Sequence, residues 1–213
     1  KSELASSVPG LPQAEPSLKI TYVQPKDFTG LLRYVRNILV VTIDPTAYTK
    51  VSVGYENNVW ARGQVVVSLK APNTESIVEY SKTHEKALVN FFVKVEMNRA
   101  IEQLQKEYSM VVMDNLKSDL NVMLNAPANF TYYKDTTDFF WSSNNANTGR
   151  MDLIVYTFPY TDPNTFTEEY LVAKRDSVLK ANLPGSFPGS YMQTETRAGV
   201  EYTPITLNGK YCG

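Results

Sequence analysis

His84 and Cys212 are the only histidine and the only cysteine in this sequence, and they limit the chemistry it can attempt. A Ser-His-Asp hydrolase would have to use His84 as its base. That residue falls on an apolar stripe between Tyr80 and Leu88, where a satisfied, partly buried imidazole is expected. The nucleophile elbow Gly-x-Ser-x-Gly is absent, since Gly185-Ser186-Phe187-Pro188-Gly189 has the wrong order. Ser177-Val178-Leu179-Lys180 matches Ser-x-x-Lys, but neither Lys-Thr-Gly nor Ser-Asp-Asn accompanies it. Cys212 has no partner for an intramolecular disulfide and reads as a small strand residue. A zinc site needs about four thiolate or imidazole ligands, more than this chain has. Nucleotide-cradling patterns such as Gly-x-Gly-x-x-Gly are missing. Asp135 with Asp138, and Asp162 with Asn164, are explained by turn chemistry without calcium. The sequence therefore nominates no catalytic residue, no metal ligand and no cofactor.

Two readings remain open. A carboxylate-only hydrolase needs just two acids from anywhere in the chain, and Glu15, Glu56, Glu168 and Glu195 are available. The other reading rests on the aromatics: 14 Tyr, 9 Phe and 2 Trp, rings that suit half-buried strands and binding surfaces alike. Trp60 with Arg62, and Tyr132, Tyr133 and Trp141, place flat apolar faces near loops. These five are the candidate ligand-binding residues, for a glycan, a peptide or a partner protein.

Composition narrows the class further. Lys and Arg number 21 against 22 Asp and Glu, so the chain lacks the basic surplus that displaces counterions from nucleic acid. With 43% hydrophobic residues it can build a core without staples. No apolar run reaches the roughly 18 residues of a membrane span. The start at Lys1-Ser2-Glu3-Leu4 has no signal-peptide core, so the chain reads as trimmed.

The elements that must position these residues can be read from periodicity. Ser6 to Pro16 is proline-rich and reads as an extended connector. Strand patterns cover Leu18–Val23, Ile38–Ile43 (continuous, hence expected to be covered on both faces), Val51–Tyr55 and Gln64–Leu69. Asn73 or Thr74 can cap a helix whose apolar positions recur from Ile77 to Tyr108, with a break expected near Met97-Asn98. Met110 to Leu124 repeats that pattern and is expected to finish as a strand. Beyond Pro127, strands are expected at Phe130–Tyr133, Phe139–Trp141, Met151–Phe158 and Tyr191–Glu195, with a helix over Thr165–Lys180. A hairpin around Asn208-Gly209 closes the chain. The expected class is α+β: antiparallel or mixed sheets, one long helix over about 74–108 and a shorter one over about 165–180. Residues 1–126 form an N-terminal α+β part and 127–213 a strand-helix-strand part, expected to share one core.

Several phrases recur in a recognisable order: Gly10-Leu11-Pro12-Gln13-Ala14-Glu15-Pro16, Arg36-Asn37-Ile38, Phe139-Phe140-Trp141, Met151 to Tyr156, Arg175-Asp176-Ser177, and Gly189-Ser190-Tyr191-Met192 with Thr194-Glu195. In this order and spacing the chain resembles, over nearly its whole length, the DUF4837 family of Bacteroidetes envelope proteins. The resemblance implies an exported lipoprotein of the cell envelope, periplasmic or surface-exposed. It would meet the membrane only through a lipidated N-terminal cysteine that this chain lacks. It also implies further structure at both ends, so the chain is expected to be a fragment of a longer protein. The resemblance supplies no activity and no site residue. The expected function is a non-enzymatic binding or envelope-maintenance role with an unknown envelope ligand. The alternative is a carboxylate-dependent hydrolase of glycan or peptidoglycan, and a third reading is a structural subunit marked by an exposed apolar patch.

Overall fold

Branched side chains pack well on a pleated surface, and the chain's β-branched runs supply the first sheet. It comprises β1 (Asn37–Ile43), β2 (Ser52–Asn57) and β3 (Val65–Ala71), in the order β1-β3-β2. β3 runs parallel to β1 and antiparallel to β2. The computed structural model describes residues 4–8, 11, 13–84, 86–197, 199–200, 202–203, 205–207 and 210–212. The expectation that Ile38–Ile43 is covered on both faces is corrected. β1 lies at a sheet edge, half-buried at first and exposed from Val41 onward, while the central β3 is the buried strand. Leu18–Val23 joins no sheet; Leu18 packs on the apolar cluster, whereas Ile20 and Tyr22 are exposed.

After β3 the chain turns helical. The Asn73 side chain accepts the Ser76 N–H at 2.8 Å, which caps α1 (Thr74–Thr83). The expected single helix is two, because α1 stops before α2 (Ala87–Lys106) begins. The Thr83 hydroxyl bonds back to the carbonyls of Tyr80 and Glu79, a local alternative to continued helix. The His84 N–H caps the Tyr80 carbonyl, and Lys86 takes a left-handed φ of 63°. The break expected at Met97-Asn98 is absent, and α2 is continuous there.

Two compact units result, divided inside α2 between Met97 and Asn98. In the first, Val65, Val67 and Phe92 form a buried cluster with Leu39, Leu88, Phe91 and Val95 around it. Asn37 donates to the Glu96 carboxylate at 2.5 Å, which ties the start of β1 to α2.

In the second unit the last part of α2 is followed by α3 (Met110–Leu120), capped by the buried Ser109. Its end is set by Asn121, which takes a left-handed φ of 53°; the segment after it is irregular, not the strand expected toward Leu124. A meander follows: β4 (Tyr132–Thr136), β5 (Phe139–Ser143) and β6 (Asp152–Tyr156), antiparallel throughout. One sheet face carries Phe140, Leu153 and Val155 into a cluster with Val112, Leu116, Ala126 and Phe130. This cluster joins residues on both sides of Ala126-Pro127, and the first unit holds an apolar cluster of its own. Lys134, on the opposite face, donates to the Asn182 carbonyl at the end of α4 (Glu168–Asn182). Tyr191–Glu195 makes only an isolated bridge, Tyr191 to Pro184, in place of the expected strand. The closing hairpin pairs β7 (Ile205–Leu207) with β8 (Lys210–Cys212); its expected turn, Asn208-Gly209, and the Cys212 side chain lie outside the described residues. The α+β class holds, with mixed and antiparallel sheets.

Leu116 has no exposed surface, so Leu116→Ala should lower unfolding free energy in urea by about 2–5 kcal/mol. Lys86→Gly should raise it by about 1 kcal/mol, because glycine reaches the left-handed region without the Cβ clash. A loss of stability in Lys86→Gly would contradict the backbone assignment.

Candidate functional site

The register of the first sheet puts every second residue on the helix side. Leu39 pairs with Val67, Val41 with Leu69, Val53 with Leu69 and Tyr55 with Val67, so these six share one face. α2 covers the Val67 end, where Phe91 meets the Tyr55 ring at 5.1 Å. Near Val41 and Val53, both exposed, the helices leave the face partly open, while Leu69 between them is buried. The result is a cleft of about 520 Å³, walled by Ile77, Val78 and Ser81 of α1 and by Leu88 of α2. Val41 remains 51% exposed at its mouth. A cleft of this size and apolar lining falls within the range of small-ligand sites.

The polar groups of the cleft gather at the break between the helices. Tyr80, His84 and Lys86 line that end. The His84 ring stacks on Tyr80 with centroids 4.0 Å apart, and its Nδ1 lies 3.0 Å from the Tyr80 carbonyl. His84 is thus satisfied as expected, but it is exposed, because it caps a helix and does not ride inside one. Ser81 spends its hydroxyl on the Val78 carbonyl. Among the described residues lining the cleft there is no carboxylate.

None of the five sequence-nominated residues lines this cleft. Trp60 and Arg62 lie in the first unit, on the turn before β3. Trp60 is 37% exposed and meets Phe28 edge-on at 5.6 Å. The turn is pinned by Gln64, which is 1% exposed. Its Nε2 donates to the carbonyls of Arg33 and Val35, and its Oε1 accepts the Trp60 N–H. The other three lie in the second unit. Tyr132 and Trp141 share the sheet face that carries Lys134, whereas Tyr133 lies on the opposite face, its ring stacked 6.4 Å from Phe140. Trp141 is half-buried, its indole N–H donating to Asp152 at 3.0 Å while Arg150 lies over its ring and pairs with the same carboxylate. Tyr132 and Tyr133 are each more than half exposed.

The acids are arranged differently from a hydrolase. Glu195 is gripped by Arg197 through two side-chain hydrogen bonds, which hold its pKa down to about 2, too low for a general acid. Asp119 and Asp135 share a hydrogen bond at the end of α3. The Ser118 hydroxyl, then Asp135, holds Asp119 below 3.8; burial, then Asp119, pushes Asp135 above it. Carboxyls in direct contact are too close for glycosidase geometry, which needs about 5–9.5 Å between them.

Two phrases that carried the family resemblance meet in space. The Asp176 carboxylate accepts both the Thr194 N–H and its hydroxyl, at 2.8 and 2.6 Å, and Arg175 donates to the same Thr194 oxygen. Gly185 and Ser190 close a tight turn in which a Cβ at Gly185 would collide with the Ser190 hydroxyl. The Gly185–Gly189 phrase is therefore structural. Sequence reasoning missed Gln64 and Lys86 altogether. A buried glutamine beside a tryptophan turn was readable as a brace, whereas a lysine in left-handed backbone carries no local signal.

Among the described residues no helix is long and apolar enough to cross a membrane, and no cluster of three metal-ligating side chains occurs. Residues 1–105 match the family model of a domain of unknown function, DUF8532. Residues 109–213 match that of a second domain of unknown function, DUF4837. The resemblance drawn from the ordered phrases holds from α3 onward, and the earlier phrases fall under the other family. No curated protein and no solved structure matches the chain.

Asp135 favours its proton in the folded state, so its contribution is largest at low pH and is lost as pH rises past 3.8 through the raised folded value. Asp135→Asn keeps a donor to Asp119 at every pH. Its melting temperature should exceed wild type at pH 7, with the gap closing on acidification toward pH 4. A gap independent of pH would contradict the shared proton.

Proposed function

We propose that this chain, a DUF8532 half followed by a DUF4837 half, is a non-enzymatic binding protein of the cell envelope that takes the apolar part of its ligand into the cleft of the first unit. The observation that carries this reading is the cleft itself: a sheet face of valines and leucines left open beside two helices. Exposed aliphatic surface costs free energy in water, at about 25 cal/mol per Å², and a ligand that covers it recovers that cost. The envelope location and lipid anchor rest on the family resemblance alone. The hydrolase alternative finds less support, since Glu15, Glu56, Glu168 and Glu195 do not line the cleft and Glu195 is committed to Arg197.

A thermal-shift screen of the protein against fatty amphiphiles, glycans and apolar peptides tests this. A cleft ligand at 100 times its Kd should add about 2.7 kcal/mol of stability. Val41→Trp, which fills the cleft from an edge strand, should abolish the shift while the fold persists. A shift that survives Val41→Trp, or turnover of peptidoglycan by the wild-type protein, would overturn the proposal.

A further inference from the structure

The chemistry of the cleft is polarised along its length, and this identifies a ligand class. Its floor is aliphatic, made by Leu39, Val41, Val53 and Leu69. The hydroxyl of Ser81 is already bonded to its own helix, so the wall beside the floor has no donor to offer from that residue. A peptide laid there would bury amide groups without partners, whereas a hydrocarbon chain has none to bury. At the other end stand Lys86 and His84, and α2 begins at Ala87, which also lines the cleft. The described lining contains a lysine and no carboxylate, so its charge complement is an anion. The first turn of a long helix adds to the same preference.

Lys86 is also held at φ 63°, a backbone region that an L-residue with a Cβ enters only at a cost. Strain of this kind at a ligand-lining residue is a recurrent mark of functional positions. A glycine or asparagine would have satisfied the turn more cheaply, but neither carries a positive charge.

From these observations we infer that the cleft binds a single-chain anionic amphiphile, with its acyl or alkyl chain against the valine and leucine floor and its carboxylate or phosphate head at Lys86. The inference rests on the cleft-binding reading above and adds the ligand class and the orientation. His84 contributes the edge of its ring at the head end, held in place by Tyr80.

Displacement of a fluorescent dansyl-undecanoic acid probe from the protein, below micellar concentrations, tests the inference. Palmitate and hexadecyl phosphate should each displace the probe at least tenfold more tightly than hexadecanol. Lys86→Ala, which keeps the same backbone cost as lysine, should reduce that advantage to less than threefold and leave hexadecanol affinity unchanged. Val41→Trp should block all three ligands. Equal affinity for hexadecanol and both anions, with Val41→Trp still blocking, would overturn the head-group assignment and keep the cleft. An anion advantage unchanged in Lys86→Ala would overturn it as well. Failure of the probe and all three ligands to bind would overturn both readings, as would binding that Val41→Trp leaves intact.

Discussion

The left-handed backbone at Lys86 is the constraint on which the first unit turns. A helix continuing straight from Thr74 would keep one apolar stripe, and the periodicity of the sequence is written as though it did. Instead Thr83 bonds back into its own last turn, His84 caps it, and Lys86 reverses φ before α2 starts. α2 can then cover the Val65 and Val67 end of the sheet with Phe92 and Phe91, while α1 departs in its own direction. The face at Val41 and Val53 is left with partial cover. His84 and Lys86, two of the residues that break the helix, also stand at the polar end of the opening.

The second unit follows a different logic. Its sheet is buried on one face by α3, through Leu116, Val112 and Phe140, and tied on the other to the end of α4 by Lys134, while Asp176 of α4 holds Thr194. Its aromatic residues are largely committed to internal partners: Trp141 to Asp152 and Arg150, Tyr133 to Phe140. Tyr132 alone of the three combines a large exposed fraction with a place on the Lys134 face. The shared-proton pair Asp119 and Asp135 is a cost this unit carries at neutral pH, set by burial of Asp135 and its closeness to a second carboxyl.

Local patterns were legible where a single residue decides the outcome. Asn73 caps α1, the valine run makes β3, and the aromatic run at Phe139 to Trp141 makes a buried strand. Edges and breaks were not legible, because they depend on partners distant in sequence. Ile38–Ile43 has the composition of a central strand, yet it lies at an edge, since only β3 pairs with it. Leu18–Val23 alternates correctly and Tyr191–Glu195 follows a turn, but neither finds a ladder to join. The five aromatic and basic candidates were chosen by residue type near loops, a criterion blind to the Gln64 brace and to the register that separates Tyr132 from Tyr133. The cleft is made of ordinary aliphatic residues, so its signal exists only once register and the helix break are known.

A pocket built from sheet register makes a residue-by-residue claim that methyl NMR can read directly. Titrating the isotope-labelled protein with palmitate should shift the methyl signals of Leu39, Val41, Val53, Leu69, Ile77 and Leu88 together, while Leu116, Leu153 and Val155 stay fixed. Shifts confined to the second cluster, or none in either, would contradict the account.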